Sequence, residues 1–447
     1  MSDPLPIVPG ADELAPPAAY SPSSWRPPAR VRLLCLTFLS CAISYLDRVN
    51  LSVAAPVIIA ERGLDEAQMG VILAAFFWGF ALAHPVGGWL ADRFGGKRVL
   101  AAGAAWWSLW TALTPLGWPS LYVARVMLGA GEGVNTPAIQ SMVGRWFPVH
   151  ERSRAVALNL TGIQVGTVLG LPLSTWIMIR FGWPAIFYTY AAVGFVWVLV
   201  WWRAAFDRPE EHPGIGAAEL ALLRGAPQAP AATPTGHATP WRTLLGSRAV
   251  WALLLSTCCT NWIFFLFLTW LPTYLVKSQG FSLKAMGVFA MLPYLAAIVS
   301  GNGAAALADR LLASGRAPTP VRKVLFATGM LAAAVLLYSL STPHSPATLI
   351  ALMTATHAAF AIGASTVLMN AIDLAPSHAG TLTGLQGLAG NLAGGISPIV
   401  AGFIVTSTGD WNLVFYVAAG VALAAAVVFT ALGSGEPIAP GGAARPR

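Results

Sequence analysis

Twelve stretches of about twenty residues, each nearly free of charge, run the length of this chain and leave few folds open to it. A helix rises 1.5 Å per residue, so such a stretch matches the ~30 Å hydrocarbon layer of a bilayer. Lipid offers no hydrogen bonds, so a spanning segment must satisfy its own backbone, as a helix does. The stretches lie at 31–59, 68–91, 98–116, 119–143, 153–180, 183–203, 248–276, 283–308, 323–341, 346–372, 379–407 and 411–433. Gly, Ser and Thr dilute the fifth, tenth and eleventh. Only 10% of the residues are charged, against about a quarter in a soluble domain. The expectation is an all-α membrane protein with twelve transmembrane helices.

The net charge of +8 would suggest nucleic acid were it not for its distribution. Of the 26 Lys and Arg, 20 fall on one side of the proposed membrane, 4 on the other and 2 within it. The positive-inside rule then places both termini in the cytoplasm and makes the basic balance a topology signal. It excludes a nucleic-acid partner and points to a multi-pass cell (inner) membrane protein. The four cysteines lie in apolar segments without metal spacing, so buried free thiols are expected, with no disulfide framework, metal or cofactor. No Ser/His/Asp set or phosphate loop is present, which argues against an enzyme. Trp106, Trp107, Trp201 and Trp202, near helix ends, suit anchoring at the lipid interface.

The widest hydrophilic gap divides six spans from six. The expected organisation is a cytoplasmic tail (1–30), a six-helix half (31–203), a cytoplasmic linker (204–247), a second six-helix half (248–433) and a tail (434–447), with 207–240 largely flexible. Gly88-Trp89-Leu90-Ala91-Asp92-Arg93, between spans 2 and 3, has a weaker echo in Ala308-Asp309-Arg310, between spans 8 and 9. A duplicated six-helix unit accounts for this, and such repeats characterise secondary transporters with a site between the halves.

Four charges interrupt the apolar pattern: Asp47 and Arg48 in span 1, Arg125 and Glu132 in span 4. Each costs at least ~2.5–3.5 kcal/mol at mid-bilayer, which makes a functional role the default reading. Successive helical positions differ by ~100°, so Asp47 and Arg48 face different directions. Arg125 and Glu132, two turns apart, share a face. Arginine suits a carboxylate or phosphate because its planar fork grips two oxygens and does not deprotonate. A glutamate can carry a proton.

The loop Gly88 to Arg98 resembles the signature of the major facilitator superfamily. Tyr45 to Val53, Phe76 to Phe80, Arg125 to Val134, Glu151 to Arg154, Phe181 to Phe187, Asn261-Trp262, Leu271 to Tyr274 and Ile372 to Pro376 are similar to stretches of its anion:cation symporter family. That family holds bacterial sugar-acid/proton symporters, sialin and plastid anion transporters. The resemblance implies the major facilitator fold with two pseudo-symmetric six-helix halves. It also implies alternating access and proton-coupled symport of a small organic anion, such as a sugar acid or related carboxylate, by a monomer. The alternative is a phosphate, ascorbate or amino-acid anion carrier, with Na⁺ as the coupling ion.

In this family the positions of Asp47 and Glu132 couple protons, and those of Arg48 and Arg125 belong to the substrate site. Asn391 matches a substrate-site asparagine, and Phe80 stands where many members have tyrosine. Gln164 is placed to meet a substrate hydroxyl or carboxylate, and Asn261 and Asn370 either line the site or join helices. His84 and His357 are weaker proton-relay candidates. Asp92, Arg93, Asp309 and Arg310 are expected to hold a cytoplasmic gate. Gly162, Gly166 and Gly170, four apart, predict a close helix contact. The mechanism expected is competition: an entering anion takes the guanidinium groups, and the acids, losing their partners, bind protons.

Overall fold

The computed structural model describes residues 27–116, 120–225, 241–342, 344–375 and 379–438. Within them the chain forms α1 (Ala29–Arg62), α2 (Glu66–Phe94), α3 (Gly96–Leu113), α4 (Ser120–Gly133), α5 (Asn135–Trp146), α6 (Val149–Phe181), α7 (Trp183–Ala204) and α8 (Ala217–Gly225). It continues with α9 (Trp241–Gly246), α10 (Arg248–Thr273), α11 (Leu283–Phe289), α12 (Leu292–Ala313), α13 (Pro318–Ser339), α14 (Pro346–Leu374), α15 (Ala379–Thr408) and α16 (Asn412–Leu432). Ten helical stretches are long and apolar enough to cross a membrane. The short α3 and the broken, charge-bearing pair α4–α5 complete twelve.

Local chemistry sets the helix ends. Gly63 closes α1 at φ +63°, a left-handed position that glycine adopts without steric cost. Two residues later Asp65 opens α2 with a capping box: its carboxylate accepts from Gln68 N at 2.7 Å, and the Gln68 side chain accepts from Asp65 N at 3.0 Å. The fourth span is not one helix. It breaks at Val134, with α4 before and α5 after. The eighth span likewise consists of α11 and α12.

Small residues bring the helices together. A Cβ on Gly162 would lie 2.5 Å from Phe38 O, and one on Gly166 2.3 Å from Ala42 O, so the glycine face of α6 is pressed onto α1. The α2–α4 contact is reciprocal: a Cβ on Gly79 would reach 1.9 Å from Val126 O, and one on Gly129 2.0 Å from Phe76 O. Such approaches replace the hydrophobic drive that lipid removes. Spans 2 and 11 pack together (α2 on α15), and so do spans 5 and 8 (α6 on α11 and α12). Shifting each number by six exchanges the two pairs, the signature of a pseudo-twofold arrangement. Leu82, Val299 and Val335 lie exposed on the outer faces, as a lipid-facing surface requires.

At one end of the bundle the two sets of six spans are closed on each other. Lys277 pairs with Glu66, Ala67 N donates to Thr406 Oγ1 at 2.8 Å, and a Cβ on Gly402 would strike Glu66 O at 2.4 Å.

The segment expected to be flexible is in part built into the fold. Asp207 Oδ1 accepts from Lys97 N at 2.8 Å at the start of α3. Glu219, on α8, accepts from Ala29 N and Arg30 N, both at 3.0 Å, at the start of α1. Free helix N–H groups attract carboxylates, so these two residues hold 205–225 against the first six spans. The rest of the expected flexible stretch, 226–240, and most of both tails lie outside the described residues. Two other expectations are corrected. Trp107 and Trp201 are buried, Trp201 donating to Lys97 O at 3.0 Å, so only Trp106 and Trp202 are exposed as anchors. The four cysteines are free, but of them only Cys41 is buried: Cys258 and Cys259 are half-buried and Cys35 is exposed.

A central cavity as candidate functional site

Between the two sets of spans lies a cavity of about 750 Å³. Its lining runs from Arg48 and Glu132, midway along their spans, to Asp309 and Arg322 at the end opposite Glu66 and Lys277. Thr161, Gln164 and Asp309 on its wall are exposed, so the cavity opens at that end.

Arg48 is the cation at the inner end of the wall. Its Nε donates to Glu132 Oε2 at 3.0 Å, and its Nη1 donates to Tyr45 Oη at 3.3 Å. The guanidinium also lies 4.5–4.7 Å from the ring centres of Tyr45, Phe76 and Phe80, which fixes its plane and keeps it in place without further anions. Glu132 Oε1 is buried with no partner among the described residues. The ion pair is therefore satisfied on one side only, and both groups line the cavity.

Asp47 and Arg125 sit behind this wall. Arg125 Nη1 donates to the main-chain oxygen of Asp47 at 3.1 Å, and its guanidinium lies 5.4 Å from the Phe76 ring centre. The Asp47 carboxylate accepts from Asn50 Nδ2 at 3.3 Å, and its other oxygen is unpartnered among the described residues. Neither Asp47 nor Arg125 lines the cavity; nor does Asn370, whose buried amide lacks a partner among the described residues.

The helix break at Val134 bears directly on the site, because it falls two residues after Glu132. It frees carbonyls at the end of α4, and His84 Nδ1 lies 3.1 Å from Gly133 O. A carbonyl can only accept, so Nδ1 carries the hydrogen. His84 thus closes the break rather than facing the cavity. His357 does line the cavity, packed against Phe267, Tyr294 and Phe360, and neither ring nitrogen has a partner among the described residues.

Of the other residues expected at the site, Phe80, Gln164, Asn261 and Asn391 are on the wall. Asp92, Arg93, Asp309 and Arg310 are exposed at the open end, and none forms an ion pair among the described residues. Arg93 instead lies over Trp89 and Phe94. The sequence reading missed the Arg322–Asp373 pair, 2.9 Å from Nε to Oδ2, whose arginine is 6% exposed at the cavity mouth. It also missed Gln386 and Asn302, polar residues set among glycines in otherwise apolar spans, a signal visible in the sequence.

The sequence profile of the Major Facilitator Superfamily matches residues 37–321 and 314–445. The chain belongs to this superfamily. It is similar to the chloroplast ascorbate transporter of Arabidopsis thaliana, 37% identical over 417 residues covering 92% of this chain and 76% of that protein. The sodium-dependent phosphate transport protein 1 of Arabidopsis chloroplasts is also 37% identical, covering 92% of this chain and 80% of that protein. Probable anion transporter 4 of rice chloroplasts is 37% identical over 97% of this chain and 72% of its own. The fold is that of superfamily structures. A D-xylose–proton symporter superposes with a TM-score of 0.72 at 16% identity, covering 91% of this chain and 99% of its own. An inward-facing bacterial homologue of the lysosomal transporter Spinster gives 0.69 at 17% identity, covering 91% and 96%. The protein is a multi-pass membrane transporter of the Major Facilitator Superfamily.

Proposed function

We propose that this transporter carries a small organic anion, a sugar acid or related carboxylate, together with protons by alternating access, as a monomer. The observation that carries the reading is the Arg48–Glu132 pair: a fixed cation on the cavity wall, joined at 3.0 Å to an acid that can hold a proton. An arriving carboxylate competes for the Arg48 fork. Glu132, deprived of its partner, takes a proton, and the neutralised site crosses low-dielectric surroundings with fewer bare charges. Asp47, behind the wall, is proposed as a second proton carrier that feels the site through the α1 backbone. Arg125 then tunes that coupling rather than gripping substrate.

The concentration of Lys and Arg at the open end supports the reading that this end faces the cytoplasm and the closed Glu66–Lys277 end the outside. In this reading the conformation is inward-open in a cell membrane, and Asp92, Arg93, Asp309 and Arg310 stand apart because their gate is open. A second reading, Na⁺-driven phosphate transport or ascorbate transport, is supported by the names of the chloroplast relatives. Proteoliposomes loaded with either an imposed proton gradient or an imposed sodium gradient separate the two. Accumulation of gluconate under the proton gradient alone is expected; phosphate accumulation under sodium alone would replace the first reading by the second.

A further inference from the structure

The side of the cavity built by the last six spans is rich in amides, whereas the side built by α1 presents a guanidinium. On the α1 side Arg48 is a pure donor. On the side built by the last six spans, four amides line the cavity: Asn261 (α10), Asn302 (α12), Gln386 and Asn391 (both α15). Each donates its NH₂ to a main-chain carbonyl: Asn261 to Thr257 O at 2.9 Å, Asn302 to Ile298 O at 2.8 Å, Gln386 to Val367 O at 3.0 Å and Asn391 to Gly387 O at 2.8 Å. A carbonyl accepts only, so the nitrogen must face it, and the amide oxygen is the atom left over. Room for this is provided locally: a Cβ on Gly390 would lie 3.0 Å from the Asn261 amide.

Gln386 is the extreme case. Its Nε2 also donates to Thr257 Oγ1 at 3.2 Å, and Thr257 has already committed its own hydrogen to Leu253 O at 2.8 Å. Both amide hydrogens are spent. Its Oε1 is buried with no partner among the described residues, in a side chain 5% exposed on the cavity wall. A buried acceptor left unmade is costly, so the side chain gains by turning this oxygen toward a cavity ligand that brings a donor.

The geometry points to Gln386, supported by Asn302, as the specificity-determining residue that reads a hydroxyl on the substrate while Arg48 holds its anionic end. This rests on the organic-anion reading above and deepens it. The site takes a monoanion bearing hydroxyl groups at its far end and discriminates against anions that offer acceptors alone. A site built to hydrogen-bond a hydroxyl rejects the analogue lacking it far more strongly than an apolar pocket rejects a missing methylene.

Calorimetric binding to the purified full chain in lipid nanodiscs tests this. The probes are gluconate, glycerate and ascorbate as hydroxylated monoanions, hexanoate as an anion without hydroxyls, and orthophosphate. In wild type a hydroxylated anion is expected to bind at least tenfold tighter than hexanoate. Gln386→Met, which keeps length and loses the acceptor, should weaken that anion at least tenfold and change hexanoate and phosphate less than twofold. Asn302→Leu, at an exposed position with little bearing on folding, should shift selectivity in the same direction to a smaller degree. Equal losses for every anion, or no loss for the hydroxylated one in either variant, overturn the inference while leaving the organic-anion reading in place. Phosphate as the sole ligand of wild type overturns the organic-anion reading itself, and the role of Gln386 with it.

Discussion

Arg125 reaches Asp47 through the main chain: its Nη1 donates to the Asp47 carbonyl at 3.1 Å, and the side-chain carboxylate is bonded to Asn50 instead. The arginine is thereby a brace between α4 and α1, at the point where α1 turns Arg48 into the cavity. Removing one member of a buried charged cluster costs about 3–5 kcal/mol, because its neighbours stay buried without it. Arg125→Met is expected to lower the melting temperature sharply. Among molecules that still fold, anion affinity should change less than in Arg48 variants, as calorimetry beside a thermal-unfolding scan will show.

Arg48 faces the cavity and stacks on three rings, so its charge and its planar shape both matter. Arg48→Ala should remove measurable anion binding. Arg48→Lys keeps the charge but loses the fork and the stacking, and a weakening of about tenfold or more is expected. Equal affinity of Arg48→Lys and wild type would mean that a point charge suffices.

Glu132→Gln preserves the shape at the wall and removes the titrating group. Binding should persist within a few-fold, and exchange of labelled for unlabelled substrate across the membrane should continue. Uphill accumulation driven by a proton gradient should be lost. Retained accumulation would show that another group carries the coupled proton.

The α2–α4 crossing leaves no room for a methyl group. Gly129→Ala would place Cβ 2.0 Å from Phe76 O, so the helices must separate. Overpacking of this kind costs about 1–3 kcal/mol or more. Because Phe76 and Phe80 hold the Arg48 plane, the variant should lose both thermal stability and substrate affinity, whereas Gly144→Ala, with open space around it, should lose neither.

His212 packs on Trp146 and Phe206 outside the membrane spans. Burial, together with the nearby Arg32 charge, holds its imidazole below the ordinary value of 6.5. A histidine lowered in the folded state favours docking above its ordinary value, and that contribution fades as pH falls below it. Hydrogen exchange of residues 207–225, corrected for intrinsic rates, should be slower at pH 7.5 than at pH 5.5. His212→Phe should abolish the difference.

Features resting on near neighbours in sequence were legible beforehand. Uninterrupted apolar runs marked most of the spans, the four-residue glycine spacing of α6 foretold a close helix contact without naming α1 as the partner, and the rarity of charge singled out Asp47, Arg48, Arg125 and Glu132. Long-range pairing was not legible. Nothing in the chain announces that Glu219 will seat on the first turn of α1, 190 residues away, or that Arg322 will meet Asp373. The family resemblance places Arg125 in the substrate site, yet its guanidinium lies beside the Phe76 ring and donates to the Asp47 carbonyl, off the cavity wall. Gln386 and Asn302 were overlooked because an amide among glycines reads as packing until its hydrogens are counted.

The carboxylates of Asp207 and Glu219 settle where this polypeptide can be divided. Severing it after residue 204 would strand two helix caps on the wrong fragment, leaving α1 and α3 with bare amide ends. A cut beyond Gly225 would give each fragment every cap it needs, so co-expressed pieces split there should reassemble into a working carrier where those split at 204 do not.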